Sequence, residues 1–178
     1  MTRKFATRDL VLIALFAALT SLLAYLIIPL PGGFPPLTGQ SLAVMLAGLL
    51  LGARNGAMSQ LVYLLLGAAG LPVFAGGTAG VGVIVSPTGG FIWGFVVGAW
   101  VIGKLTEDQK KLTWLRLVSA AVCGGVFAVY VPGVLQMANV LQITPSRALV
   151  AMLPYLPGDL LKVFIAAALA RKTMPQLQ

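Results

Sequence analysis

The sequence contains no histidine and one cysteine, Cys123, and only four of its 178 residues are acidic. Without histidine there is no imidazole base and no His-ligated metal, and a lone thiol makes neither an internal disulfide nor a zinc cluster. Charge of any sign is scarce, at 9% of residues against 59% hydrophobic. The mean hydropathy of +0.98 exceeds what a soluble domain of this length can bury. These deficits exclude a water-soluble fold and predict an all-α integral membrane protein, in which each helix satisfies its own backbone polar groups. The 12 Lys and Arg leave a net charge of +8. In a soluble chain that excess would suggest nucleic acid; here it is a topology signal, and no nucleic-acid partner is expected.

Glycine, proline and charge punctuate the chain into six transmembrane helices in a single membrane domain spanning 1–178, at about residues 9–28, 40–53, 57–71, 90–104, 115–135 and 157–172. The basic N-terminus resembles a signal peptide, but the uncharged run Leu10–Ile28 ends at Pro29 with no small-residue cleavage site, so it is read as a retained first helix. Pro29–Gly39 forms the first loop, Arg54-Asn55-Gly56 a polar turn, Lys104–Arg116 a polar connection, and the proline-rich Thr144–Gly158 a break before the last helix. Between Gly67 and Gly90 stand eight glycines and two prolines. That is too many for one helix, and non-helical backbone at membrane depth has to line a cavity walled by protein. Arg3, Lys4, Arg8, Arg54, Lys104, Lys110, Lys111, Arg116, Arg171 and Lys172 fall on one side of this arrangement and Arg147 on the other. The bias places both termini in the cytoplasm.

Asp159 and Lys162 fit neither a loop nor a cytoplasmic helix end. Counting back from Arg171 puts Lys162 about 14 Å and Asp159 about 18 Å from the inner boundary of a core about 30 Å thick. Three-residue spacing sets both on one helical face, which should point inward. Two readings are open: Asp159 compensates the helix dipole with Lys162 neutralising it, or the pair is held for a polar ligand. The second, fourth and sixth helices reach only about 20 Å, leaving outer depth for the loops to fold over a vestibule. Phe34, Phe74 and Tyr155 lie in those loops and Trp93 at the start of the fourth helix, as interfacial belt residues or as walls for an apolar ring. The run GGTAGVGV from Gly76 is not a phosphate loop, since no Walker lysine follows. Ala14 and Ala18 form a small-x-x-x-small pair suited to close helix approach, and Cys123-Gly124-Gly125 reads as packing.

The strings QSLAVMLAGLLLGARNGAMSQLVYLLLGAAGLPVFAGG (Gln40–Gly77), SPTGGFIWGF (Ser86–Phe95) and PGDLLK (Pro157–Lys162) resemble the BioY family, the biotin-specific S components of energy-coupling factor (ECF) vitamin transporters. Gly39 stands where a larger apolar residue is expected. The resemblance implies an S-component-like bundle in the bacterial plasma membrane that captures biotin from outside with high affinity. It further implies no cofactor and no enzymatic activity of its own, a transmembrane coupling protein (the T component) and two cytoplasmic ATPases as partners, surrounding membrane lipid, and docking of the coupling protein on Ala14 and Ala18. Biotin's chemistry suits the residues: Asp159 can accept ureido N–H bonds, Lys162 can donate to the ureido oxygen or hold Asp159, and Trp93 and Phe74 can pack on the rings. Tyr155 stands among the loop aromatics on the same side. For the tail carboxylate the expected donors are Gln40, Thr78, Ser86, Thr88 and backbone N–H groups of the segment beginning Gly76-Gly77. The alternatives are an S component for another small vitamin, an intramembrane hydrolase, which would need a nucleophile and a base, and a channel, which a single Asp–Lys pair does not build.

Overall fold

The computed structural model describes residues 6–29, 37–107 and 113–177. Arg3, Lys4, Phe34, Lys110, Lys111 and most of the first loop lie outside the described residues. Helix α1, Thr7–Leu23, starts where Asp9 accepts the Ala6 backbone N–H at 3.1 Å, and it buries one stripe, Ile13, Phe16, Ala17 and Thr20, at the spacing of a single helical face. Ala14 and Ala18 are on its exposed side. Strands β1 (Ile27–Ile28) and β2 (Leu37–Thr38) pair antiparallel and pin the two ends of the first loop. Gly39 packs against the end of α1, where an added Cβ would stand 2.9 Å from the Leu23 carbonyl oxygen. A larger residue at this position would push the loop off that helix.

Helix α2, Gln40–Ala68, folds back on itself at Gly52. Gln40 and Tyr63 are 23 residues apart, which on a straight helix is about 35 Å. Their side chains are hydrogen-bonded, so the arms 40–51 and 53–68 must run antiparallel. Gly52 has φ 77° and ψ −178°, a conformation essentially confined to glycine. The reversal therefore falls at Gly52 rather than at Arg54-Asn55-Gly56, which already belong to the second arm. That arm is capped from a distance: Glu107 accepts the Ala53 N–H at 2.7 Å.

A short helix α3, Val81–Val85, sits in the glycine-rich segment, which is otherwise non-helical apart from a single turn at Ala75–Gly77. Helix α4, Gly89–Thr106, packs closely on α2, with Gly48 meeting Ala99 and Ile102, and Gly103 meeting Gly52 and Ala53. Helices α5 (Trp114–Val122) and α6 (Val129–Leu141) are joined through a π-helical turn, Cys123–Ala128, just ahead of Pro132. Pro132 offers no N–H to the carbonyl four residues back, and the widened turn lies where the regular ladder is interrupted. Gly124 packs against Gly98 and Ile102, and Gly125 against Met45. Helix α7, Pro145–Met152, and a 3₁₀ turn, Leu153–Tyr155, lead into α8, Leu156–Leu177.

By length and composition, four helices among the described residues can cross a membrane: Gln40–Ala68, Gly89–Thr106, Trp114–Leu141 and Pro145–Thr173. Since the first folds back, each of its arms is shorter than a hydrocarbon core of about 30 Å. Asn55 donates to Asp9 at 2.9 Å and Arg116 to the Leu105 carbonyl at 2.9 Å. These contacts and the Glu107 cap bring the start of α1, the α2 reversal, the end of α4 and the start of α5 to one end of the bundle. Arg8, Arg54, Lys104 and Arg116 lie there. The strand pair, the glycine-rich segment and α7, which carries Arg147, occupy the other end, and a cavity opens among them.

Candidate ligand-binding site

The cavity has a volume of about 490 Å³, within the range of small-molecule pockets. Three helical stripes wall it, each set by the helical period. On α4 and its N-cap these are Thr88, Phe91, Ile92 and Phe95; on α6, Val129, Tyr130 and Met137; at the α8 end, Tyr155, Asp159 and Lys162. The loops add Leu37, Thr38, Phe74, Gly76, Thr78 and Ser86, and the start of α2 adds Gln40 and Ser41. Of the residues expected from sequence, Asp159, Lys162, Gln40, Phe74, Gly76, Thr78, Ser86, Thr88 and Tyr155 are brought together here. Two are not. Trp93 is 47% exposed: it sits on α4 about 140° around the axis from the cavity-lining stripe at 100° per residue, and so cannot pack on a ligand ring. Gly77 instead turns against the ring of Tyr25.

Asp159 is 6% exposed, and both of its oxygens accept hydrogen bonds. Its Oδ1 accepts from Ser41 Oγ at 3.0 Å and Lys162 Nζ at 3.0 Å, and its Oδ2 accepts from Tyr130 Oη at 2.6 Å. Lys162 directs its ammonium at three acceptors: the Thr38 carbonyl at 2.7 Å, Ser41 Oγ at 2.9 Å and Asp159 Oδ1 at 3.0 Å. An ammonium has three N–H bonds, so none is left over for a ligand. Of the two roles open to Lys162, donating to a ligand or holding Asp159 in place, the geometry serves the second. A carboxylate has about four acceptor positions, and three donors occupy them, which leaves room on Oδ2 for one further donor. The ion-pair corner of the cavity thus presents acceptor capacity to a ligand.

Gln40 accepts from Thr38 Oγ1 at 2.8 Å and donates to Tyr63 Oη, which fixes its amide at the cavity wall. Tyr63 stacks edge-on against Phe74 at 5.5 Å, and Phe91 against Tyr130 at 6.0 Å. On the α3–α4 side, Ser86 Oγ donates to the Val83 carbonyl at 2.7 Å and lies 3.1 Å from Thr88 Oγ1. Thr78 Oγ1 donates back to Ala75 at 3.0 Å. Among the described residues no three His, Cys, Asp or Glu side chains gather as a metal group.

Ser41, Thr38 and Tyr130 were not anticipated from sequence. Tyr130 carried a signal: a phenol in the middle of an apolar helix needs a partner for its hydroxyl. Ser41 carried none beyond its place one residue after Gln40.

An apolar, aromatic-walled cavity with one buried ion pair, set in a bundle of membrane-length helices, defines a small-molecule-binding membrane protein. The chain belongs to the BioY family, whose model matches residues 1–178. It is 43% identical over 177 residues to the biotin transporter BioY of Rhizobium etli, covering 95% of this chain and 94% of that protein. It is 38% identical over 166 residues to the probable biotin transporter BioY of Bacillus subtilis, covering 92% and 89%. A crystal structure at 2.1 Å of the S-component for biotin from an ECF-type ABC transporter superposes with a TM-score of 0.87 at 26% identity, covering 95% of this chain and 94% of that one.

Proposed function

We propose that this protein is a biotin-binding S component that captures the vitamin from the outer side of a bacterial plasma membrane. In this reading both termini are cytoplasmic, and a transmembrane coupling protein and two ATPases supply the energy. Relatives named as biotin transporters and the fold of a biotin S-component support it. The observation that carries it is the acceptor capacity at the buried Asp159 Oδ2, at the wall of a largely apolar cavity whose ion pair is otherwise satisfied. A ureido group brings two N–H donors to such a corner, and its fused rings fit between Phe74, Phe91 and Phe95. The tail carboxylate would then reach the Thr88 hydroxyl, which Ser86 Oγ holds in place, with Thr78 and Gln40 beside it. Lys162 acts by orienting Asp159 and tethering the strand that carries Thr38. Hydrolysis of ATP belongs to the partners, and this subunit's part is binding alone.

Titration calorimetry of the purified protein with biotin tests the assignment. Tryptophan fluorescence is a poor reporter, since Trp93, Trp100 and Trp114 lie outside the cavity lining. Saturable binding at one site per chain is expected, and failure to bind biotin in a folded preparation would overturn it.

A further inference from the structure

The α3–α4 wall of the cavity is held by a side chain that does not itself line it. Gln136, on α6, reaches across to the end of α3 and donates both amide hydrogens to backbone carbonyls: Ile84 at 2.7 Å and Ser86 at 2.8 Å. The path is cleared by glycine. A Cβ at Gly89 would stand 2.6 Å from the Gln136 amide nitrogen, and one at Gly90 would stand 2.8 Å from Gln136 Cβ. A short helix such as α3 leaves its last carbonyls without intrahelical partners. Gln136 supplies a donor to the Ile84 carbonyl and a second one to the Ser86 carbonyl, which also accepts the Gly89 N–H at 3.0 Å, and so fixes the two-residue step from Ser86 to Thr88 against α6.

That step decides which polar atoms the cavity presents. The Ser86 hydroxyl hydrogen is committed to the Val83 carbonyl, so Ser86 Oγ can only accept from Thr88. The Thr88 hydroxyl is a rotor whose hydrogen can leave Ser86 for a ligand oxygen. It can do so only while Ser86 and Thr88 stay where Gln136 holds them. We infer that Gln136 is a positioning residue for recognition of the ligand's carboxylate end, setting the preference for an acid over a neutral tail. This rests on the biotin reading of the cavity. The Asp159 corner belongs to other elements, and ring recognition there is independent of Gln136.

The test compares biotin with biotinamide, whose tail ends in a neutral amide of nearly the same shape, by calorimetry on the wild type and on Gln136→Met. The wild type should bind the acid more tightly than the amide. In Gln136→Met that preference should shrink at least about fivefold, with biotin losing affinity and biotinamide nearly unchanged, because a charge-assisted bond is the stronger one lost. Gln136→Asn, which keeps the donors but shortens the reach, should shrink the preference as well and serves if the Met variant does not fold. An unchanged preference, or an equal loss for both ligands, would overturn the inference and leave Gln136 a packing residue, with biotin binding intact. A folded wild type that binds neither ligand would overturn the biotin reading and this inference together.

Discussion

Replacing Asp159 by Asn preserves the shape of the side chain and removes its charge, and its consequences can be followed atom by atom. In the native site Oδ1 accepts from Ser41 and Lys162 while Oδ2 accepts from Tyr130. If the amide oxygen takes the place of Oδ1, its NH₂ group faces the Tyr130 hydroxyl and the remaining acceptor position on Oδ2 becomes a donor. A ligand N–H aimed there then meets another N–H. Bonds to charged groups contribute about 1.5–3 kcal/mol and neutral ones about 0.5–1.5. Losing one such ligand bond weakens biotin binding by at least about 1.5 kcal/mol, or roughly tenfold.

The fold is affected as well. The Lys162 side chain is 12% exposed and would lose its counter-ion, a defect that costs roughly 3–5 kcal/mol when a buried pair is broken. Calorimetry on the monodisperse variant gives the binding loss, and a thermal melt gives the stability loss separately. Lys162→Met should also weaken binding, by freeing Ser41 and Asp159 to reorient. The double variant should lose less than the sum of the two, because the groups act as a unit. A folded Asp159→Asn protein that binds biotin with unchanged affinity would refute the reasoning and return the pair to a structural role.

Gly52→Val forces a β-branched residue into a glycine-only conformation with its Cβ 2.6 Å from Glu107 Oε1; it should lower stability by about 2–4 kcal/mol, and a melt matching the wild type would refute the reversal at this position. Gly82 lines the cavity and has open space where a Cβ would go. In a Cys123→Ala background, Gly82→Cys should react with an impermeant thiol reagent from outside intact cells and be protected by biotin; labelling from the cytoplasmic side alone would reverse the assigned orientation. Ala14 and Ala18 sit on the exposed face of α1, so replacing both by Trp should abolish uptake by the assembled transporter while the purified subunit still binds biotin. Retained uptake and assembly would exclude that face as the docking surface.

What could be read from sequence depended on scarcity. Asp159 and Lys162 stood out because an ionised side chain at membrane depth has few tolerable places, and three-residue spacing left one face for both. The neutral polar partners that complete the site had no such contrast. Ser41 and Ser21 look alike in sequence, yet Ser21 bonds back to the Ala17 carbonyl at 2.9 Å within its own helix, as Thr106 does to Ile102 at 2.9 Å. Ser41 instead reaches across the bundle to Asp159, 118 positions away. A hydroxyl in a helix always has the local option, and only tertiary packing decides whether it is used. The helix boundaries near glycine were obscured for a related reason. Gly52 and the Arg54-Asn55-Gly56 turn both signal a break, and the distant Glu107 carboxylate on the Ala53 N–H favours the first over the second. Trp93 shows the same limit at the cavity wall. Its distance from the outer end of α4 placed it at the right depth, but depth says nothing about azimuth. Once Thr88 and Phe91 are seen to line the cavity, the period of 100° per residue carries the stripe to Ile92 and Phe95 and turns Trp93 away. One residue of known orientation on each helix is therefore what the sequence lacked. Asp159 supplies it for α8, and α4 has no charged residue before Lys104 to do the same.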